Sequence, residues 1–98
     1  MVLLDRHRRI IGAQALAVGD RFRVSIRIRT VVEAVLRSRA SGVVLAHNHP
    51  SGICRPSAQD LAATRRLAVV LEAIDTDLVD HLILGRDRVY SMQAAGLL

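Results

Sequence analysis

The 98-residue sequence contains one cysteine, no lysine, no tryptophan, and only Phe22 and Tyr90 from the Phe–Tyr–Trp class. A single cysteine excludes an intramolecular disulfide, so a reducing, cytoplasmic compartment is the expectation. Two aromatic rings are too few for a platform on which single-stranded bases stack. No apolar run approaches the roughly 18 residues that span a bilayer, and the first residues carry no signal-peptide pattern, so no membrane association is expected. Internal repeats, low-complexity tracts and linkers are also lacking.

What is present suits one compact domain, residues 1–98, with a single core. Half the residues are apolar (51%), which argues against disorder. The net charge is +5, and arginine supplies all of the positive side. A basic balance raises the prospect of nucleic-acid contact, although charge alone does not establish it and GC-rich coding has the same effect.

Patterning suggests strands alternating with two helices. Val2–Leu4 and Arg9–Val18 read as strands joined by a turn at Asp5–Arg8. Arg21–Arg29 alternates, with Phe22, Val24, Ile26 and Ile28 on one side and arginines mostly on the other, as a half-buried strand or extended segment does. Thr30, with Glu33 three residues on, predicts a capped helix to about Ala40, its core face carrying Val31, Ala34 and Val35. Gly42 ends that region, and Val43–Ala46 forms a buried strand. Ser57 opens a second helix to about Ile74, with Leu61, Thr64, Leu67, Ala68 and Leu71 along its inner face. Leu78–Gly85 and Arg88–Met92 complete the strands, and a short element begins at Gln93. The expected class is α/β, a mixed β-sheet flanked by helices.

Residues 47–60 carry the chemistry. His47 and His49 follow the buried strand, and a period of two points both imidazoles to one side if the backbone stays extended. Asp60 returns to them in the first turn of the next helix, where the helix N-terminus favours its ionised form. Two imidazoles and a carboxylate are ligands that zinc accepts, and three of them leave a fourth position for water. Ser57 can cap the helix through its oxygen and still donate its hydrogen to a developing oxyanion. Ser57 with Asp60 is also an ordinary helix-start pattern, and two turn histidines can simply bond backbone groups. No His-Glu-x-x-His helix, paired-cysteine deaminase motif, Gly-x-Ser-x-Gly elbow or Walker loop is present.

The spacing His47-x-His49, seven residues, Ser57, two residues, Asp60 resembles the JAMM (Jab/MPN) metalloprotease motif. Ala46-His47-Asn48-His49-Pro50-Ser51-Gly52, Pro56-Ser57, Asp80-His81-Leu82-Ile83-Leu84-Gly85 and Gly96-Leu97-Leu98 are similar to the bacterial RadC family. The resemblance runs from Leu3-Leu4-Asp5 to the C-terminus. It implies a JAB/MPN-like fold with cytidine-deaminase-like layering. Zn2+ would be held by His47, His49 and Asp60, Ser57 would stabilise a tetrahedral intermediate, and the activity would be hydrolysis of a peptide or isopeptide bond. JAMM enzymes also use a glutamate near the first strand, expected in RadC-like chains just before residue 1, so the resemblance implies an N-terminally truncated domain with impaired turnover.

Only Glu33 and Glu72 are available within the chain, and both read as capping or solvent-facing residues. Cys54 stands in the loop as a bystander or a further metal ligand. Asp80 and His81 invite a supporting role beside the metal histidines, although a structural histidine on a half-buried strand accounts for His81 more simply. The competing function class is a non-catalytic module that binds protein or nucleic acid through Arg21, Arg23, Arg27 and Arg29. The same arginines equally fit an edge strand protected by charge. The sequence leaves the oligomeric state open.

Overall fold

The computed structural model describes residues 1–16, 26–49 and 52–98. Among them, β1 (Val2–Leu4), β2 (Ile10–Ala13), α1 (Ile28–Ser38), β3 (Gly42–Asn48), α2 (Ala58–Ala73), β4 (Asp77–Leu84) and β5 (Val89–Ser91) follow in order. The five strands form one mixed sheet, ordered β2-β1-β3-β4-β5. β3 is central, antiparallel to β1 and parallel to β4, and the parallel pair is joined through α2. The α/β architecture expected from the sequence is the one observed.

The β1–β2 turn lies where the sequence placed it. Asp5 Oδ1 accepts the backbone N–H groups of His7 and Arg9 at 2.7 and 3.0 Å, an aspartate turn built by its own side chain. Strand β2 stops at Ala13, well short of Val18, and residues 17 and 18 lie outside the described residues.

The start of α1 departs from expectation. Arg27, not Thr30, occupies the N-cap, and no side chain caps it. Ile28 and Arg29 belong to the helix, so the alternating segment ending at Arg29 is not a single strand. Its members Arg21 to Ser25 lie outside the described residues. The physical reason is burial. Ile28, Val31 and Val35 lie along one helical face, with Val31 and Val35 buried and Ile28 packed on the core. Burying one such side chain is worth about 1.5–3 kcal/mol, against about 1 kcal/mol for a cap. The helix ends when Arg39 turns left-handed (φ 58°, ψ 33°), so Gly42 opens β3 instead of closing α1.

The core joins Val31, Ala34 and Val35 of α1, Leu67 and Leu71 of α2, Leu3 of β1, and Val43 and Leu45 of β3. One irregularity places the site. Val43 pairs with Leu78 but Val44 pairs with Asp80, so Val79 is an extra residue in β4. A one-residue offset reverses which side chains face which side of a strand. Beyond it Leu45 lies opposite His81, which puts the imidazole of His81, and not the carboxylate of Asp80, on the buried side.

The two helix starts give a direct test. Ser57→Ala should cost about 1 kcal/mol in urea unfolding, as a lost cap does. Thr30→Ala should stay within about 0.5 kcal/mol of wild type, because Thr30 caps nothing. Equal losses would contradict the observed start of α1.

Candidate metal centre

The buried strand β3 extends two residues past Ala46 and carries His47 itself, with His49 immediately after it. The chain then returns through the loop to Ser57, the N-cap of α2. Ser57 Oγ accepts the Asp60 N–H at 3.0 Å, and Asp60 Oδ2 accepts the Ser57 N–H at 2.8 Å, a reciprocal capping box. The ordinary helix-start pattern and the site geometry therefore coexist in the same two residues.

Asp60 meets both histidines. His49 Nε2 lies 3.0 Å from Asp60 Oδ2, and His47 Nε2 lies 3.6 Å from Asp60 Oδ1. One ligand atom from each of His47, His49 and Asp60 lies within 4.8 Å of the others, the only such cluster among the described residues. Their side chains are 10%, 18% and 13% exposed, sheltered yet open to solvent on one side.

The donor set fits a cation. His49 Nδ1 lies 2.8 Å from the Ile53 carbonyl, which can only accept, so Nδ1 carries a hydrogen. In neutral His49 the Nε2 lone pair then faces a carboxylate oxygen, two acceptors that need a positive ion between them. His47 Nε2 is buried without a hydrogen-bond partner, a costly condition for a polar atom unless a ligand completes it. Tetrahedral zinc with bonds near 2.0–2.1 Å holds its ligands about 3.3 Å apart, close to the two histidine–carboxylate separations of 3.6 and 3.0 Å, while the three atoms as a set, within 4.8 Å of one another, would tighten around the ion.

Electrostatics favour the metal-binding protonation states. Burial resists ionisation of Asp60, but hydrogen bonds from the Ser57 backbone and side chain, and the attraction of His47 and His49 when either ring is protonated, bring its pKa below the usual carboxylate value. Burial pushes the His47 pKa down, with Asp60 pulling the other way and His49 adding to the decrease. His81, buried on β4, is pushed down to about 4, first by burial and then by His47.

The remaining candidates lie apart from the cluster. Cys54 turns onto β4, where its thiol donates to the Ile83 carbonyl at 3.3 Å. A Cβ on Gly85 would stand 2.8 Å from the Cys54 Cβ, so glycine is required for this loop to seat there. Glu33 is exposed, 4.0 Å from Arg29. Glu72 is twelve residues, about 18 Å, along α2 from Asp60, and faces a cavity with Arg8 and Asp77. Asp80 accepts from its neighbour's backbone, from Gln93 N and from Ser91 Oγ, bracing β4 against β5. Of the arginine face, Arg21 and Arg23 lie outside the described residues, and Arg29 is exposed on α1.

The side chains that sequence reasoning undervalued are His81 and Thr64. His81 Nε2 contacts His47 Nδ1 at 2.7 Å, and His81 Nδ1 contacts Thr64 Oγ1 at 2.7 Å. Thr64 was legible only as a position on the inner face of α2. Its place one turn after Asp60 was the available signal.

Fold and site together define an α/β domain with a His-His-Asp cluster that could hold a metal ion. A family model described as the RadC-like JAB domain matches residues 1–97, and the chain belongs to that family. Its curated relatives include a UPF0758 protein of Paraburkholderia xenovorans, 41% identical over 97% of this chain and 38% of the relative. A UPF0758 protein of Legionella pneumophila strain Lens is 41% identical over 95% of this chain and 41% of its own length. UPF0758 protein YkfG of Escherichia coli is 40% identical over the whole of this chain and 62% of its own length. The chain spans less than two thirds of each. Among the described residues, no helix is long and apolar enough to cross a membrane.

The buried histidines predict a pH dependence in the metal-free protein. Their pKa values are lower folded than unfolded, so the unfolded chain binds more protons as pH falls below 6.5. Stability measured by urea unfolding with a chelator should be full above pH 6.5 and fall toward pH 4. His81 should account for on the order of 3 kcal/mol of that loss. His81→Gln should flatten this slope; an unchanged slope would contradict the assignment.

Proposed function

We propose that this domain is a zinc-dependent hydrolase of peptide or isopeptide bonds, acting on a peptide or protein substrate in the cytoplasm. The observation that carries the metal assignment is the buried, unpartnered His47 Nε2, directed with His49 Nε2 at the Asp60 carboxylate. Membership of the RadC-like JAB family supports the hydrolytic class.

His47, His49 and Asp60 would hold the ion. When bound, zinc would supply Lewis acidity to a scissile carbonyl and lower the pKa of water toward about 7. The chain's own groups do the rest. The capping box fixes the Asp60 carboxylate, and the Ile53 carbonyl fixes the orientation of His49. Ser57 caps α2 through its oxygen, and its hydroxyl hydrogen, which supports the Asp60 carboxylate in the metal-free chain, would turn to the oxyanion that develops on the attacked carbonyl.

Glu33 is exposed beside Arg29 on α1, Glu72 is about 18 Å along α2 from Asp60, and general acid–base catalysis typically contributes ~10²–10⁴-fold. Turnover by these 98 residues alone is therefore low in this reading, and a form carrying a glutamate upstream of residue 1 should be faster.

The purified chain should bind one zinc ion, and His49→Ala should lose it by elemental analysis. Equal zinc in both would remove the metal site. Metal-dependent release of new amines from peptide or isopeptide substrates, abolished by chelator, is the expected activity. If the glutamate-bearing form is equally inert, the hydrolase reading fails. Salt-dependent nucleic-acid binding that survives His47→Ala would instead favour a non-catalytic module.

A further inference from the structure

Thr64 and His81 do not face the proposed metal position, yet a continuous chain of hydrogen bonds ties them to it. Its direction follows from what each atom can do. Thr64 Oγ1 lies 2.6 Å from the Asp60 backbone carbonyl and 2.7 Å from His81 Nδ1. A carbonyl oxygen only accepts, and a hydroxyl has a single hydrogen. That hydrogen therefore goes to the Asp60 carbonyl, one turn back along α2, as helical threonines often donate. The hydroxyl oxygen then faces His81 Nδ1 with a lone pair, so Nδ1 must carry the His81 hydrogen. A neutral imidazole has only one, which leaves His81 Nε2 as an acceptor. His47 Nδ1, 2.7 Å from it, must donate.

The last link decides the state of the ligand. With its only hydrogen on Nδ1, His47 presents a bare lone pair at Nε2, the buried atom that has no partner. The opposite direction would place a hydrogen on Nε2 and close that position to a metal.

We infer that Thr64 and His81 are positioning residues that hold His47 in its Nδ1–H tautomer and present Nε2 as a metal ligand. This inference rests on the metal reading for its purpose, but not for its geometry. Asp60 stands at both ends of the arrangement. Its carboxylate faces the ion position, and its backbone carbonyl anchors the far end of the chain. Metal-binding histidines commonly donate their second nitrogen to a carboxylate or a carbonyl. Here the acceptor is a second, neutral imidazole, so Asp60 remains the one negative charge of the cluster. The extra residue Val79 in β4 is what turns His81 inward to serve.

The test uses long-range 1H–15N correlation spectra of the metal-free protein, in which protonated and unprotonated ring nitrogens separate, together with zinc affinity by chelator competition. Wild type should show His47 and His81 protonated at Nδ1. Thr64→Val removes the acceptor while keeping the side-chain shape. It should let His81 shift its hydrogen to Nε2, bring Nε2–H into the His47 population, and weaken zinc binding about 10–100-fold. Thr64→Ser keeps the hydroxyl and should retain both the tautomers and the affinity.

A wild-type His47 protonated at Nε2 overturns the inference, and that measurement stands even if Thr64→Val fails to fold. A folded Thr64→Val with unchanged tautomers and affinity also overturns it. If wild type shows the expected tautomers, loses them in Thr64→Val, and takes up no zinc, the positioning chain stands and the metal reading falls.

Discussion

The reciprocal pair of hydrogen bonds between Ser57 and Asp60 is the constraint on which the rest of the centre depends. It satisfies the backbone N–H groups of Ser57 and Asp60 and fixes where α2 begins. Once the start is set, helical spacing sets everything along its inner face. Thr64 falls one turn after Asp60, and Leu67 and Leu71 fall on the core. The same two bonds pin the carboxylate that meets His47 and His49. Helix capping and placement of the candidate ligand Asp60 are therefore one structural event.

The centre is a polar network built beside an apolar core, and such networks are stable only when each member finds a partner. Thr64 and His81 do so through each other, and His49 does so at Nδ1. His47 Nε2 does not, and an unsatisfied buried acceptor costs about 1–3 kcal/mol. Ion binding would remove that cost, which would couple metal affinity to folding stability. The β3–β4 pair supplies the rigid frame, with β3 paired on both sides and α2 crossing between the parallel strands.

Much of this was legible in the sequence because short-range spacing encodes it. The turn at Asp5, the period-two placement of His47 and His49, and the three-residue step from Ser57 to Asp60 are local features, and the structure shows each of them. The start of α1 was not legible, because the Thr30–Glu33 capping pattern lost to burial of Ile28 and Val31, a tertiary effect. The role of His81 was hidden for a different reason. An extra residue at Val79 changes which side of β4 is buried, and alternation counted along the sequence cannot locate such an offset. Thr64 looked like one more position on an apolar face, and only its contacts to Asp60 and His81 distinguish it.

His47, His49 and Asp60 together would hold one zinc ion. X-ray absorption at the zinc edge of the loaded protein tests this most directly. The spectrum should show nitrogen and oxygen neighbours only, at about 2.0–2.2 Å, with outer-sphere scattering from two imidazoles. A sulfur neighbour near 2.3 Å, which would implicate Cys54, or a shell without imidazole would contradict it.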